Sequence, residues 1–320
     1  MKRLKVLLID VGGLIANLAL MKLATYFKAQ GYEVYLNSCP TEPDLVFASI
    51  VFDKYRYIGE HLQETFKDRI DIGGSGWDKL KKLPPEIETC KPDYNLYGIR
   101  YGLGFLLRGC FRNCEHCDVH IKEGKPKQTG LKVKDLVNPL SNFVILLDNN
   151  FFANPRWPEH IGEISELGLR VNFSQGIDIR IMKQEMAKAL KMVDFRLLNG
   201  KDKGLYFAWD RIQDEKEVMQ GIEIMLDEGF KGEQLYCYVL AGGPGQTRDD
   251  AIYRVMKLQE LGINPFLMKY NDRKDDKVLN AVATYTCRRW LSKSITLDEY
   301  RPYIKALRGE SAKVRQVSMF

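Results

Sequence analysis

The sequence predicts an α/β protein: an N-terminal Rossmann-like parallel sheet, then a partial (β/α)6 barrel of TIM type, then a helical C-terminal tail. Three observations carry this. Apolar runs of strand length alternate with helical patterns along most of the chain, which is the signature of βα units and parallel sheets. Several of the runs end in Gly-rich or polar residues, as strands do at the mouth of such a sheet. Pro84-Pro85 and Lys91-Pro92-Asp93-Tyr94 punctuate the chain and set the domains at 1–95, 96–275 and 276–320.

Leu4 to Asp10 is a continuous apolar run ending at Gly12-Gly13. A helical pattern follows from Ala16 to Ala29, closes at Gly31, and gives way to a strand at Glu33-Val34-Tyr35-Leu36. Asp44 to Ile50, a helix from Tyr57 to Phe66, and Arg69 to Gly76 repeat the alternation. Beyond residue 100 the expected strands are Tyr101 to Leu107, Phe143 to Leu147, Leu169 to Phe173, Phe195 to Leu197, Leu205 to Ala208, Gln234 to Leu240 and Asn264 to Lys269. Met268 is expected in the core and Tyr270, in Met268-Lys269-Tyr270-Asn271, as a pocket residue; Lys277 to Phe320 reads as helical and basic.

Length and an apolar content of 45% suffice for a buried core. The basic start followed by an apolar run is too short for a signal peptide and reads as a first strand. No stretch approaches the roughly 20 apolar residues of a membrane span. Seven cysteines, four of them scattered (Cys39, Cys90, Cys237, Cys287), suit a reducing cytoplasm. A net charge of +6 admits an anionic partner, nucleic acid included, but the bases are interspersed with 42 acids.

The chemistry concentrates at Cys110-Phe111-Arg112-Asn113-Cys114-Glu115-His116-Cys117, three cysteines spaced x3 and x2 after Arg108-Gly109. Three thiolates in one loop leave one iron of a 4Fe-4S cubane without a protein ligand, open to an exogenous molecule. A Cys3His zinc knot with His116 or His120 is the alternative, and would make the chain a zinc- or nucleic-acid-binding protein rather than an enzyme. A disulfide at this spacing has less to commend it.

The cysteine spacing resembles the signature of radical S-adenosylmethionine (SAM) enzymes, over about residues 100 to 275. The resemblance implies that Cys110, Cys114 and Cys117 bind a 4Fe-4S cluster and that SAM chelates its open iron. A reducing electron, from an external donor of flavodoxin or ferredoxin type, then releases a 5′-deoxyadenosyl radical. It places His116 beside the adenine. Asp148-Asn149-Asn150 stands where the family carries a Gly-Gly-Glu-like segment holding the methionine amino group. Ser174, Gln175 and Arg180 follow the next strand, Arg180 as a bidentate partner for the SAM carboxylate or as a solvated surface residue. Gly242-Gly243 corresponds to a turn beside the adenine, or is an ordinary turn before a helix.

The first 95 residues resemble the cobalamin-binding-type domain that precedes many radical SAM enzymes, on Val6-Leu7-Leu8-Ile9-Asp10, Gln30 to Val34, Pro43 to Val46 and Gly73-Gly74. The family's Asp-x-His-x-x-Gly ligand motif is missing, and His61 has neither the preceding nor the following residues it needs. A histidine-ligated cobalamin is therefore not expected, while a corrinoid held without that ligand, and with it a cobalamin-dependent methylase, stays open. A methylthiotransferase resembles the chain at Arg108-Gly109-Cys110 and Glu123-Gly124, but needs three N-terminal cysteines where Cys39 and Cys90 are two. The substrate is not legible.

Overall fold

The computed structural model describes residues 3–13, 15–270 and 275–317, with side chains through Glu310. It is a mixed α/β protein whose larger sheets are parallel, and it divides into two compact units: residues 1–149 with 153–172, and 150–152 with 173–320. Asn271 and the last three residues of the expected tail lie outside the described residues.

The first unit begins with a four-stranded parallel sheet in the order Glu33–Leu36, Lys5–Val11, Leu45–Ile50, Ile70–Gly73. The strand Lys5–Val11 is apolar from Val6 to Ile9 because both faces are covered there. Val6 and Leu8 pack with Leu20, Leu23 and Phe27 of the helix Leu18–Ala29. Leu7 and Val11 pack on the other face, where Ile58, Leu62 and Phe66 of the helix Arg56–Phe66 close over them. The first helix starts at Asn17, whose side chain accepts from the N–H groups of Ala19 and Leu20 and donates to Ser49 at 2.8 Å.

Further on in this unit, Phe143–Leu146 pairs parallel with Gly102–Gly104. The expected strand from Tyr101 to Leu107 is broken in two. Leu107–Arg108 leaves the parallel sheet and pairs antiparallel with Lys127–Gln128, because Asp148 takes the N–H groups of Leu106 and Leu107.

The second unit carries a three-stranded parallel sheet, Leu205–Ala208, Leu235–Ala241, Asn264–Lys269. Leu235, Cys237, Val239 and Ala241 are buried while Tyr236, Tyr238 and Leu240 alternate to the other face. Met268, expected in the core, is 47% exposed: it has the outward parity on an edge strand, where Pro265 is also tolerated. The tail is helical over Lys277–Cys287, Arg289–Ser294 and Arg301–Val317.

Candidate cysteine-loop site

The cysteines sit in a loop from Gly109 to Pro126 that the antiparallel pair closes at its base. Gly109 begins it at φ 83°, and a Cβ there would stand 2.5 Å from the Lys125 carbonyl oxygen and 2.6 Å from that of Gly124. Only glycine meets both conditions. The N–H of Cys110 donates to Gly124 O at 3.2 Å and that of Cys117 to Cys114 O at 3.0 Å, so the loop folds back on itself across the three thiols.

Two neighbours fix its entry. Asp148 is buried, and its carboxylate accepts from the N–H of Leu107 at 2.6 Å and of Leu106 at 3.2 Å. Asn149 accepts from the N–H of Gly109 at 2.9 Å. Both side chains, expected at the methionine amino group, bond to the backbone at the loop's entry. Burial pushes the Asp148 carboxyl up to about 7, against the pull of the Leu106 and Leu107 N–H groups and of Arg108.

A charge network braces the loop from outside. Arg108 pairs with Glu88 at 2.9 Å and with Glu123 at 3.2 Å, and its guanidinium lies 4.0 Å above the Phe105 ring. Glu88 also takes Lys22, only 3% exposed, at 2.9 Å. Lys79 reaches Asp118 at 2.6 Å, and Lys122 reaches Ser75 at 2.7 Å. Glu88 and Lys22 escaped the sequence because their partners lie far apart in the chain.

None of the three cysteines is in a disulfide, and all three are half-buried. Burial raises the Cys117 thiol, and Cys114, Cys110 and Asp118 add to that rise, so the three thiols lie within electrostatic reach of one another. Among the described residues no three His, Cys, Asp or Glu side chains converge closely enough to hold a single metal ion. His116 is half-buried in the same loop.

The remaining expected residues lie in the second unit. Arg180 donates to Asp178 at 2.8 Å and Asp214 at 2.9 Å, and these bonds and charges outweigh burial in holding its pKa above the ordinary value. Its side chain is 18% exposed. Asn150 is buried and donates to Asp178 at 3.4 Å. Ser174 is half-buried and Gln175 exposed, just before Gly176, whose following N–H, from Ile177, donates to Tyr206 O at 2.7 Å. Gly242 has φ 72°, which suits glycine at the turn, while a Cβ on Gly243 would stand 2.8 Å from the end of the Leu240 side chain. Arg254, wholly buried, donates to the carbonyls of Trp209, Leu240 and Asp250 and fixes that strand end. No helix among the described residues is long and apolar enough to cross a membrane. No protein-family model matches the chain, and no curated protein matches it.

Proposed function

We propose that the chain is a radical SAM enzyme in which Cys110, Cys114 and Cys117 hold a 4Fe-4S cluster. One feature supports the reading: Cys110, Cys114 and Cys117, none of them in a disulfide, lie in a single braced loop at a spacing that supplies three thiolates to a cubane and leaves its fourth iron open. When bound, the cluster would pass one electron to the SAM sulfonium, and the 5′-deoxyadenosyl radical so released would abstract hydrogen from the substrate.

The chain's own contribution is orientation. Asp148 and Asn149 set the backbone from Leu106 to Gly109, and thereby the direction in which Cys110 enters the loop. Arg108, held by Glu88 and Glu123, braces the base of the loop. On this reading the four-stranded sheet is Rossmann-like, the later strands form a partial barrel, SAM lies near His116, and a flavodoxin- or ferredoxin-type donor supplies electrons in the cytoplasm.

The test is anaerobic reconstitution. Iron and sulfide in cubane proportion, a charge-transfer absorbance, and a change in the reduced cluster's paramagnetic resonance on adding SAM are expected. Cys110→Ala, Cys114→Ala and Cys117→Ala should each lose them, and Cys39→Ala and Cys237→Ala should keep them. Stoichiometric zinc without iron, or a full cluster spectrum in Cys114→Ala, would sink the reading.

A further inference from the structure

Three large apolar side chains stand exposed on the cysteine loop and on the segment clamped to it, all within the first unit. Leu80 is 66% exposed, Ile121 53% and Phe111 51%. Leu80 and Ile121 are neighbours, because two ties hold segment 79–82 along the loop on either side of them. Lys79 pairs with Asp118 at 2.6 Å, and Lys82 donates to the Lys122 carbonyl and pairs with Glu123 at 3.5 Å. Phe111 directly follows Cys110, and Ile121 stands four residues past Cys117, so a partner seated here rests on the stretch of chain that carries the thiols.

The surroundings of these side chains are basic. Lys79, Lys81 and Lys82 flank Leu80. Lys125 and Lys127 are exposed and make no ion pair among the described residues. The Arg112 guanidinium lies 5.2 Å over the Phe111 ring. Of the loop's acids, Glu123 is turned inward to Arg108, its side chain 5% exposed, and Asp118 is taken by Lys79. An apolar centre with a lysine rim fits a partner with an apolar centre and an acidic rim. A second copy of the chain would set lysine against lysine. A nucleic acid would find aliphatic Leu80 and Ile121 where it needs rings to stack on. Three side chains make a small contact, which suits a transient partner and not a permanent subunit.

On the cluster reading, we propose that this surface docks a small acidic one-electron carrier of flavodoxin type. The carrier's carboxylates meet the lysines, and the methyl-bearing edge of its flavin faces Leu80, Ile121 and Phe111. A flavin offers such an apolar edge, which a cysteine-held iron-sulfur cluster does not. One electron leaves the flavin hydroquinone anion, which becomes the neutral semiquinone, and passes to the cluster without a proton.

Calorimetry of purified flavodoxin against the full chain, cluster-free and reconstituted, tests it. Both forms should bind saturably and more weakly as salt rises. Leu80→Glu, Ile121→Glu and the double change Lys125→Glu with Lys127→Glu should each weaken binding about tenfold or more. Leu140→Glu and Met192→Glu, at apolar positions just as exposed elsewhere, should bind as the parent does. In stopped flow, electron transfer from reduced flavodoxin should slow in the weakened variants while reduction by dithionite stays parent-like. If no cluster assembles in the parent yet flavodoxin binds with this variant pattern, the cluster reading alone falls; if a cluster assembles and flavodoxin does not bind, the docking inference alone falls. Ferredoxin binding as tightly as flavodoxin, parent-like binding by Leu80→Glu and Ile121→Glu, or a dimer, an oligonucleotide complex or anionic-vesicle binding that is lost in Ile121→Glu would each overturn it.

Discussion

Asp148 carries a carboxyl whose two oxygens are both committed to backbone N–H groups in a buried setting. Its folded pKa, about 7, lies above that of an unfolded aspartate near 3.9, so the folded chain holds a proton that the unfolded chain has released. This group's contribution to stability is therefore fullest below about pH 4, declines as pH rises to about 7, and is level beyond. Asp148→Asn should flatten that slope in denaturant titrations across the window. It should also lower stability by about 1–3 kcal/mol, because an amide sets a donor against an N–H group. An unchanged slope would place the titration elsewhere. The sequence located Asp148 and Asn149 beside the cysteines but not their orientation, since an apolar strand ending in a polar cluster reads alike whether its side chains face a ligand or the protein. Arg180 is the same case: its spacing from Asp178 was visible, and its second carboxylate, Asp214, lies beyond the next strand.

At the scale of elements, the loop's base rests on Gly109. Alanine there would be held in a left-handed conformation with its Cβ against two carbonyl oxygens. Gly109→Ala should lower thermal stability by about 1–3 kcal/mol and speed iron loss from reconstituted protein. Parent-like melting and iron retention would show that the loop relaxes freely. Strand positions were largely legible, because period-two and continuous apolar patterns report burial directly: Glu33–Leu36, Leu205–Ala208 and Asn264–Lys269 fall where the sequence puts them. The break at Phe105-Leu106 was not, since the competing acceptor on Asp148 lies some forty residues away. Nor was the row of rings formed by Tyr206, Tyr236, Tyr238 and Phe266, although Tyr236 and Tyr238 alternate with buried Cys237 and Val239 in plain view. Seeing it required the register that adds Tyr206 and Phe266.

At the scale of the whole molecule, alternation of strands and helices made the α/β class and its parallel sheets readable from the chain. The sheet order, with Lys5–Val11 between Glu33–Leu36 and Leu45–Ile50, is set by tertiary packing and has no local signal. His61 stands exposed on the helix Arg56–Phe66, 3.7 Å from Glu64, away from the carboxyl ends of the strands where an open parallel sheet takes its ligands. Protein purified from a cobalamin-supplied host should thus carry no stoichiometric corrinoid by absorbance and mass spectrometry. About one corrinoid per chain would favour the methylase reading.

The antiparallel pairing of Leu107–Arg108 with Lys127–Gln128 has one more effect. It joins the ends of the cysteine loop in the polypeptide itself, so the entropy of ring closure is met during folding and not at the moment of capture. Many small metal-binding modules are coils until their ion arrives. On the cluster reading, a loop closed by its own strands should allow stripping and reloading without a refolding step and with far-ultraviolet dichroism unchanged throughout.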